Sequence, residues 1–205
     1  MNARRLERSP TSDPRVAFFQ DFLKRPKQVG SILPSSRFLE RRVARTAGLD
    51  EARTVVELGP GTGGTSHALL RAMRRDARLL VIEINPRFAG LIRLAVQDPR
   101  LQVHCGDARE LEEILAERAL PAPDAVVSGI PFSTMPHKVG LDILAAVKRS
   151  LAPEGSFVAY QLRDRVEILG KRVFGPARVQ VELRNVPPMR VFSWDKQGEA
   201  ELGLR

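Results

Sequence analysis

Glu57, Glu83, Asp107, Ser128 and Tyr160 each stand at or next to the end of a short apolar run, and Gly59-x-Gly61-x-Gly63 follows the first of them. Glycine has no Cβ, so three within five residues let the chain take positive φ and bring its backbone against a ligand. An ionised Glu83 offers two acceptor oxygens, which suits the paired hydroxyls of a ribose, and Asp107 can accept from an adenine amino group. With the neighbours Ile84 and Ala108 and with Ser128, these residues describe a nucleoside pocket. Tyr160, the sole tyrosine, and His137 are the candidates for a general base or for the wall of an acceptor pocket. The competing readings are an ordinary strand aromatic and a surface residue at a helix start, and geometry has to decide between them before pKa does. His67 and His104 read as structural. Cys105 is the only cysteine, which excludes an internal disulfide and a cysteine-based metal cluster, and no metal site is expected.

These groups need elements that bring them to one place. Val55-Val56-Glu57-Leu58 has the β-branched, apolar character of a buried strand. After Gly64 the period turns helical, with Ala68, Leu69, Ala72 and Met73 on one face. Strands are then expected at 79–84, 101–105, 125–128 and 156–161, with helices after Pro86, over 109–118 and over 138–151. Two more strands, near 179–183 and 190–194, flank Asn185-Val-Pro-Pro188. Alternating strands and helices predict an α/β, doubly wound fold with a seven-stranded, mostly parallel sheet and an antiparallel last strand. Ligands of such sheets lie at the carboxyl ends of the strands, where the order reverses, and the chemically capable residues sit at those ends. Gly59-x-Gly61-x-x-Gly64 also satisfies the dinucleotide fingerprint, but Glu83 comes slightly later than the acidic residue of that pattern, so spacing alone decides little.

A chain of 205 residues suffices for one α/β domain with extensions. The expected division is a disordered tail over 1–14, an amphipathic helix, loop and lid helix over 15–50, and the main domain over 51–205. Val16, Phe19, Phe22 and Leu23 recur at helical spacing beside Lys24, Arg25 and Lys27. That pattern suits either an interfacial helix on an anionic bilayer or a helix packed on the sheet. Val29 to Ser36 is a turn-rich loop placed to fold over the site, and Ser35 or Ser36 supplies the N-cap of the next helix. The formal charge is +9, and residues 1–53 hold twelve Lys or Arg against six Asp or Glu, so +6 of it precedes the glycine motif. Such a balance fits a polyanionic partner, nucleic acid or membrane, although a basic surface kept for solubility has the same composition. No run of eighteen apolar residues is present and the N-terminus lacks the apolar core of a secretory signal, so a cytoplasmic protein is expected.

Glu57-x-Gly-x-Gly-x-Gly63 resembles motif I of the S-adenosylmethionine-dependent methyltransferases, which implies the class I Rossmann-like fold and S-adenosyl-L-methionine as cofactor. Ser128-Gly-Ile-Pro-Phe132 is similar to the Asn-Leu-Pro-Tyr or Asn-Leu-Pro-Phe motif of ribosomal RNA adenine dimethyltransferases. Aligning Pro131 and Phe132 puts Gly129 where those enzymes carry the asparagine that binds the base amino group, and the helical RNA-binding domain that follows their catalytic domain is not expected here. Phe22-Leu-Lys-x-Pro26, Val29 to Ser36, Val56 to Gly63, Gly106-Asp107-Ala108, Ser128 to Pro131 and Asn185 to Pro188 together resemble the bacterial phospholipid N-methyltransferases. That resemblance implies methylation of the amine of phosphatidylethanolamine or of an ornithine lipid by an enzyme bound peripherally to the inner face of the cell membrane, with nucleic acid an improbable partner. It places Glu57, Gly59, Gly61, Gly63, Glu83, Ile84, Asp107, Ala108 and Ser128 at the cofactor. Ser35, Ser36, Arg41, Gly129, Ile130 and Pro131 fall at the acceptor, where Arg41, Arg42, Lys24 and Lys27 could meet a lipid phosphate.

Overall fold

The structure, a computed structural model, describes residues 35–196. The expectations for the tail over 1–14, the helix over 16–25 and the loop over 29–34 lie outside the described residues.

Seven strands form one sheet in the order β3-β2-β1-β4-β5-β7-β6. They are β1 (Thr54–Leu58), β2 (Arg78–Glu83), β3 (Leu101–Cys105), β4 (Ala125–Ser128), β5 (Ser156–Gln161), β6 (Arg178–Glu182) and β7 (Met189–Asp195). β1 to β5 pair in parallel, and β7 runs antiparallel to both β5 and β6. Only β7 is therefore reversed, and β6 at the edge points the same way as the first five strands. The helices are α1 (Arg37–Thr46), α2 (Gly64–Ala72), α3 (Pro86–Ala95), α4 (Leu111–Glu117), α5 (His137–Ser150) and α6 (Arg165–Val173), with single 3₁₀ turns at Ala108–Glu110 and Phe132–Thr134. The sequence pattern did not bring out α6. Its positions Val166, Leu169 and Gly170 are buried, but Ile168 is exposed and Arg165, Glu167, Lys171 and Arg172 interrupt the period.

The central strands are apolar on both faces because helices cover both. On one face Val56, Leu58, Leu80, Ile82, Phe157, Phe192 and Trp194 pack with Leu111, Ile114, Leu144, Val147 and Leu169 of α4 to α6. On the other, Val55, Leu79, Val81, Val127, Val158 and Val191 pack with Leu39 and Val43 of α1, Leu69 of α2 and Ile92 of α3. Helix α1 is thus part of the domain body, and no boundary in the packing corresponds to residue 50. Among the described residues no helix is long and apolar enough to cross a membrane, and no group of His, Cys, Asp or Glu could hold a metal.

Candidate active site

Strand alternation sets which groups meet. Val55 faces α1 and α2, so Glu57 two residues on faces the same way. By the same count Glu83 follows Leu79 and Val81, and Tyr160 follows Val158. The order reverses between β1 and β4, and the parallel register sets Leu58 level with Ile82 and with Ser128, and Ser128 level with Ala159. One residue further on, Gly59, Glu83, Gly129 and Tyr160 therefore form one row at the carboxyl rim, over the crevice where such sheets bind ligands.

The turn after β1 carries Gly59, Gly61 and Gly63 at φ of +64°, +63° and +86°. Only glycine takes these values without strain. A Cβ on Gly59 would also stand 2.7 Å from Ile130 Cγ1, so this turn lies against the loop that follows β4. Gly63 then caps α2, whose first turn provides two hydroxyls. Ser66 Oγ donates to Glu57 Oε2 at 2.5 Å, while Glu57 Oε1 is buried and has no partner among the described residues. Burial pushes the Glu57 carboxyl up to about 8; the Ser66 bond opposes the rise and the charge of Glu83 adds to it. Glu83, 1% exposed, accepts from the backbone N–H of Gly61 at 3.1 Å and of Asn85 at 2.9 Å. Burial raises it to about 7 against those backbone bonds. Asp107 at the end of β3 accepts from Arg109 N at 2.9 Å and forms an ion pair with Arg109 Nη2 at 2.6 Å. Ile84 is half-buried beside Glu83, and Ala108 is buried at the start of its 3₁₀ turn.

The loop after β4 is held at several points. Gly129 N donates to Leu58 O at 2.9 Å, and Ile130 N donates to the buried Ser128 Oγ at 3.2 Å. Ile130 O accepts from Gln161 Nε2 at 2.5 Å and from Phe132 N at 3.0 Å. Pro131 O accepts from Thr134 Oγ1 at 2.8 Å. The carbonyl of Gly129 has no partner among the described residues. A Cβ on Gly129 would lie 2.6 Å from the Tyr160 hydroxyl and 3.0 Å from Gly59 O. That hydroxyl is 3.0 Å from Thr65 Oγ1. Burial, and then the charge of Glu57, push the phenol well above its ordinary value.

His137 is exposed at the first residue of α5 and contacts the Arg165 guanidinium through Nε2. It is not brought to the row that holds Tyr160. Ser36 caps α1 through its Oγ, which accepts from Leu39 N at 3.2 Å, and its backbone N donates to Asn185 Oδ1 at 2.9 Å. Ser35 adjoins it, and Arg41 is exposed one turn along α1. His104 meets Arg118 at 3.2 Å, away from the row. Sequence reasoning missed Thr65, Ser66, Arg109 and Gln161. Thr65 and Ser66 carried a signal, as hydroxyls in the first turn after a glycine motif, and so did Gln161, a polar residue closing an apolar strand.

Residues 55–155 match the family described as a methyltransferase domain. The ornithine lipid N-methyltransferase of Singulisphaera acidiphila is 35% identical over 177 residues, which cover 85% of this chain and 92% of that protein. The ribosomal RNA small subunit methyltransferase A of Caulobacter vibrioides is 39% identical over only 95 residues, 45% of this chain and 34% of that one. Among solved structures, the O-methyltransferase from Bacillus cereus in complex with SAH superimposes with a TM-score of 0.66 at 11% identity, over 90% of this chain and 92% of its own; the shared feature is the fold. S-Adenosyl-L-methionine is the cofactor that goes with this fold and domain. With nearly the whole of the Singulisphaera protein matched, the chain belongs to the same family as that ornithine lipid N-methyltransferase and is an S-adenosyl-L-methionine-dependent methyltransferase.

Proposed function

We propose that the chain methylates the amine of a membrane-lipid headgroup, phosphatidylethanolamine and its methylated intermediates or an ornithine lipid, at the inner surface of the cell membrane. The observation that carries the reading is the Tyr160 hydroxyl lodged against Gly129 Cα. It fills the space that the Cβ of an asparagine would need, and asparagine is the residue that an adenine methylase of similar motif has at this position. A side-chain amide for a planar base does not fit, whereas a small aliphatic amine needs only a backbone acceptor.

The residues present suit the cofactor. Gly59, Gly61 and Gly63 let the backbone approach it, and Glu83 is given the ribose hydroxyls. Asp107 takes the adenine amino group, with Arg109 holding its carboxylate in place. Ile84 and Ala108 line the adenine side, and Ser128 fixes the loop next to it. Glu57 Oε1, buried and unpaired, needs a donor, and the amino group at the methionine end of the cofactor has both the hydrogens and the charge. When bound, the cofactor supplies a methyl group already activated by the sulfonium, so the protein's task is in-line positioning of a neutral amine. A primary ammonium titrates near about 10 and must lose a proton before attack. Burial against Ile130 and Pro131 disfavours its charged form, and the open Gly129 carbonyl accepts an N–H of the neutral amine. Tyr160, with its raised pKa, stays a phenol at neutral pH and serves as a hydrogen-bonding wall. His137, on the surface against Arg165, takes no part in the step, and the released proton passes to solvent. Ser35, Ser36 and Arg41 line the entry from α1, where Arg41 meets the headgroup anion, the phosphate of phosphatidylethanolamine or the carboxylate of an ornithine lipid.

The test incubates the protein with cofactor labelled in the methyl group and either total lipid or total RNA. Label in an aminolipid is expected. Label in RNA alone, or in neither fraction, would reject the proposal.

A further inference from the structure

The turn between β6 and β7 exposes aliphatic side chains at the same rim as the acceptor loop. Leu183 is 74% and Val186 86% exposed, and Leu162, one residue past β5, is 43% exposed. Their common location follows from register. Gln161, at the end of β5, pairs with Arg190, and Glu182, at the end of β6, pairs with Met189, so residues 183–188 cross the carboxyl end of the sheet. The turn is anchored rather than loose. Asn185, itself buried, donates from Nδ2 to Pro187 O at 2.9 Å and accepts from Ser36 N at 2.9 Å, which ties the turn to the start of α1. Glu182 accepts from Arg42 at 2.9 Å and from Arg184 at 2.9 Å.

Cations surround these aliphatic tips. The Arg37 and Arg184 guanidinium carbons lie 4.9 and 4.2 Å from the centroid of one ring, that of Phe38. Arg41, Arg163 and Arg190 are exposed and have no acidic partner among the described residues. Of the acids nearby, Glu182 is engaged by Arg42 and Arg184 and Glu40 by Arg71, which leaves Asp164. Aliphatic tips ringed by arginines on a rigid turn gain from entering an anionic lipid interface, where apolar groups leave water and guanidiniums meet phosphates. A phosphate backbone in water would reward the arginines and not Leu183 or Val186.

We infer that the β6–β7 turn, with the start of α1, is a docking surface for an anionic bilayer that holds the acceptor loop at the lipid headgroups. This inference rests on the proposed lipid substrate, and its partner is a bilayer of acidic phospholipid. The full chain and its Leu183→Ser/Val186→Ser variant are sedimented with vesicles of phosphatidylcholine plus phosphatidylglycerol. Thermal shift with cofactor verifies folding, and methyl transfer is followed on detergent-dispersed aminolipid. The variant should bind vesicles at least about tenfold more weakly, given the apolar area withdrawn, while transfer to dispersed lipid persists. Leu183→Ser alone, expected to give the smaller fall of the two, keeps the test open if Val186→Ser disturbs the turn. Arg37→Ser/Arg190→Ser should weaken binding to the mixed vesicles and leave the slight binding to pure phosphatidylcholine unchanged. Unaltered vesicle binding in all variants overturns the inference. So does a loss confined to RNA binding, or a change from dimer to monomer that accounts for the binding loss. Vesicle binding that depends on the turn, with no transfer to dispersed lipid even by the parent, would instead reject the substrate and leave the surface standing.

Discussion

Gly129→Ala measures how tightly the acceptor loop is built. The added Cβ would stand 2.6 Å from the Tyr160 hydroxyl, 3.2 Å from its Cζ and 3.0 Å from Gly59 O. None of these neighbours is the loose end of a flexible chain. The phenol belongs to a β5 residue and is bonded to Thr65, and the carbonyl belongs to the glycine turn after β1, whose backbone is fixed by positive φ at three positions. Forcing a methyl into such a space costs about 1–3 kcal/mol. At about 2–4 °C per kcal/mol for a domain of this size, the melting temperature should fall by roughly 2–12 °C. Tyr160→Phe removes the nearest atom and the Thr65 bond, and by itself costs about 1 kcal/mol. The double variant should then be more stable than the two single effects predict, by about 0.5 kcal/mol or more. The relief is partial because the contact with Gly59 O remains. Chemical denaturation of the four proteins, with the cofactor-free parent as reference, gives the cycle. Additivity within about 0.3 kcal/mol would mean that the hydroxyl does not occupy the space a side chain at 129 would need, and the argument against base methylation would go with it.

Glu57 and Glu83, at about 8 and about 7 in the folded protein against 4.5 in the unfolded chain, bind protons more tightly when folded. Their contribution is therefore full below the unfolded value and is lost as pH rises through 7 and 8. The cofactor-free protein should lose a few kcal/mol between about pH 5 and 9, and a melting temperature flat across that window would exclude two buried neutral carboxyls. Gln161→Leu removes the donor to Ile130 O, and at about 1–3 kcal/mol for a buried bond turnover should fall roughly tenfold or more while cofactor affinity, by calorimetry, stays within about twofold. Equal losses in both would place Gln161 in general folding. Gly170→Ala would drive a methyl into the Trp194 ring behind α6, and should destabilise by about 1–3 kcal/mol without changing the KM of either substrate.

The glycine turn and the acids proposed for the cofactor could be picked out in the sequence because each is a local feature. Glycines that need positive φ lie within five residues of each other, and each acidic residue lies within two residues of the end of its own strand, so composition and period located them without knowledge of the pairing. The seven strands followed from apolar runs too short and too β-branched for helices. Helix α6 was not legible, because Arg165, Glu167, Lys171 and Arg172 interrupt an apolar set that is itself split between the buried Val166 and Leu169 and the exposed Ile168. Nor was the place of α1: its pattern gave an apolar face, but a face does not say what covers it, and Leu39 and Val43 turn out to pack beside Leu69 and Val191.

The acceptor half is a different kind of object, since no single stretch contains it. Gly129 directly follows β4, Tyr160 and Gln161 end β5, and Thr65 lies in the first turn of α2, so four contributions from three elements meet only because β4 and β5 are neighbours in register. A sequence can mark each as a strand-end residue and still not reveal that residue 129 must be small because residue 160 is large. The two identities are reciprocal: with asparagine at 129 the tyrosine hydroxyl has no place, and with tyrosine at 160 the loop can offer a backbone carbonyl but no side-chain amide. In this chain the bulky partner of the pair is Tyr160, and on the proposed reading that choice bears on the acceptor alone, since the glycine turn and its acids lie outside the contact between residues 129 and 160.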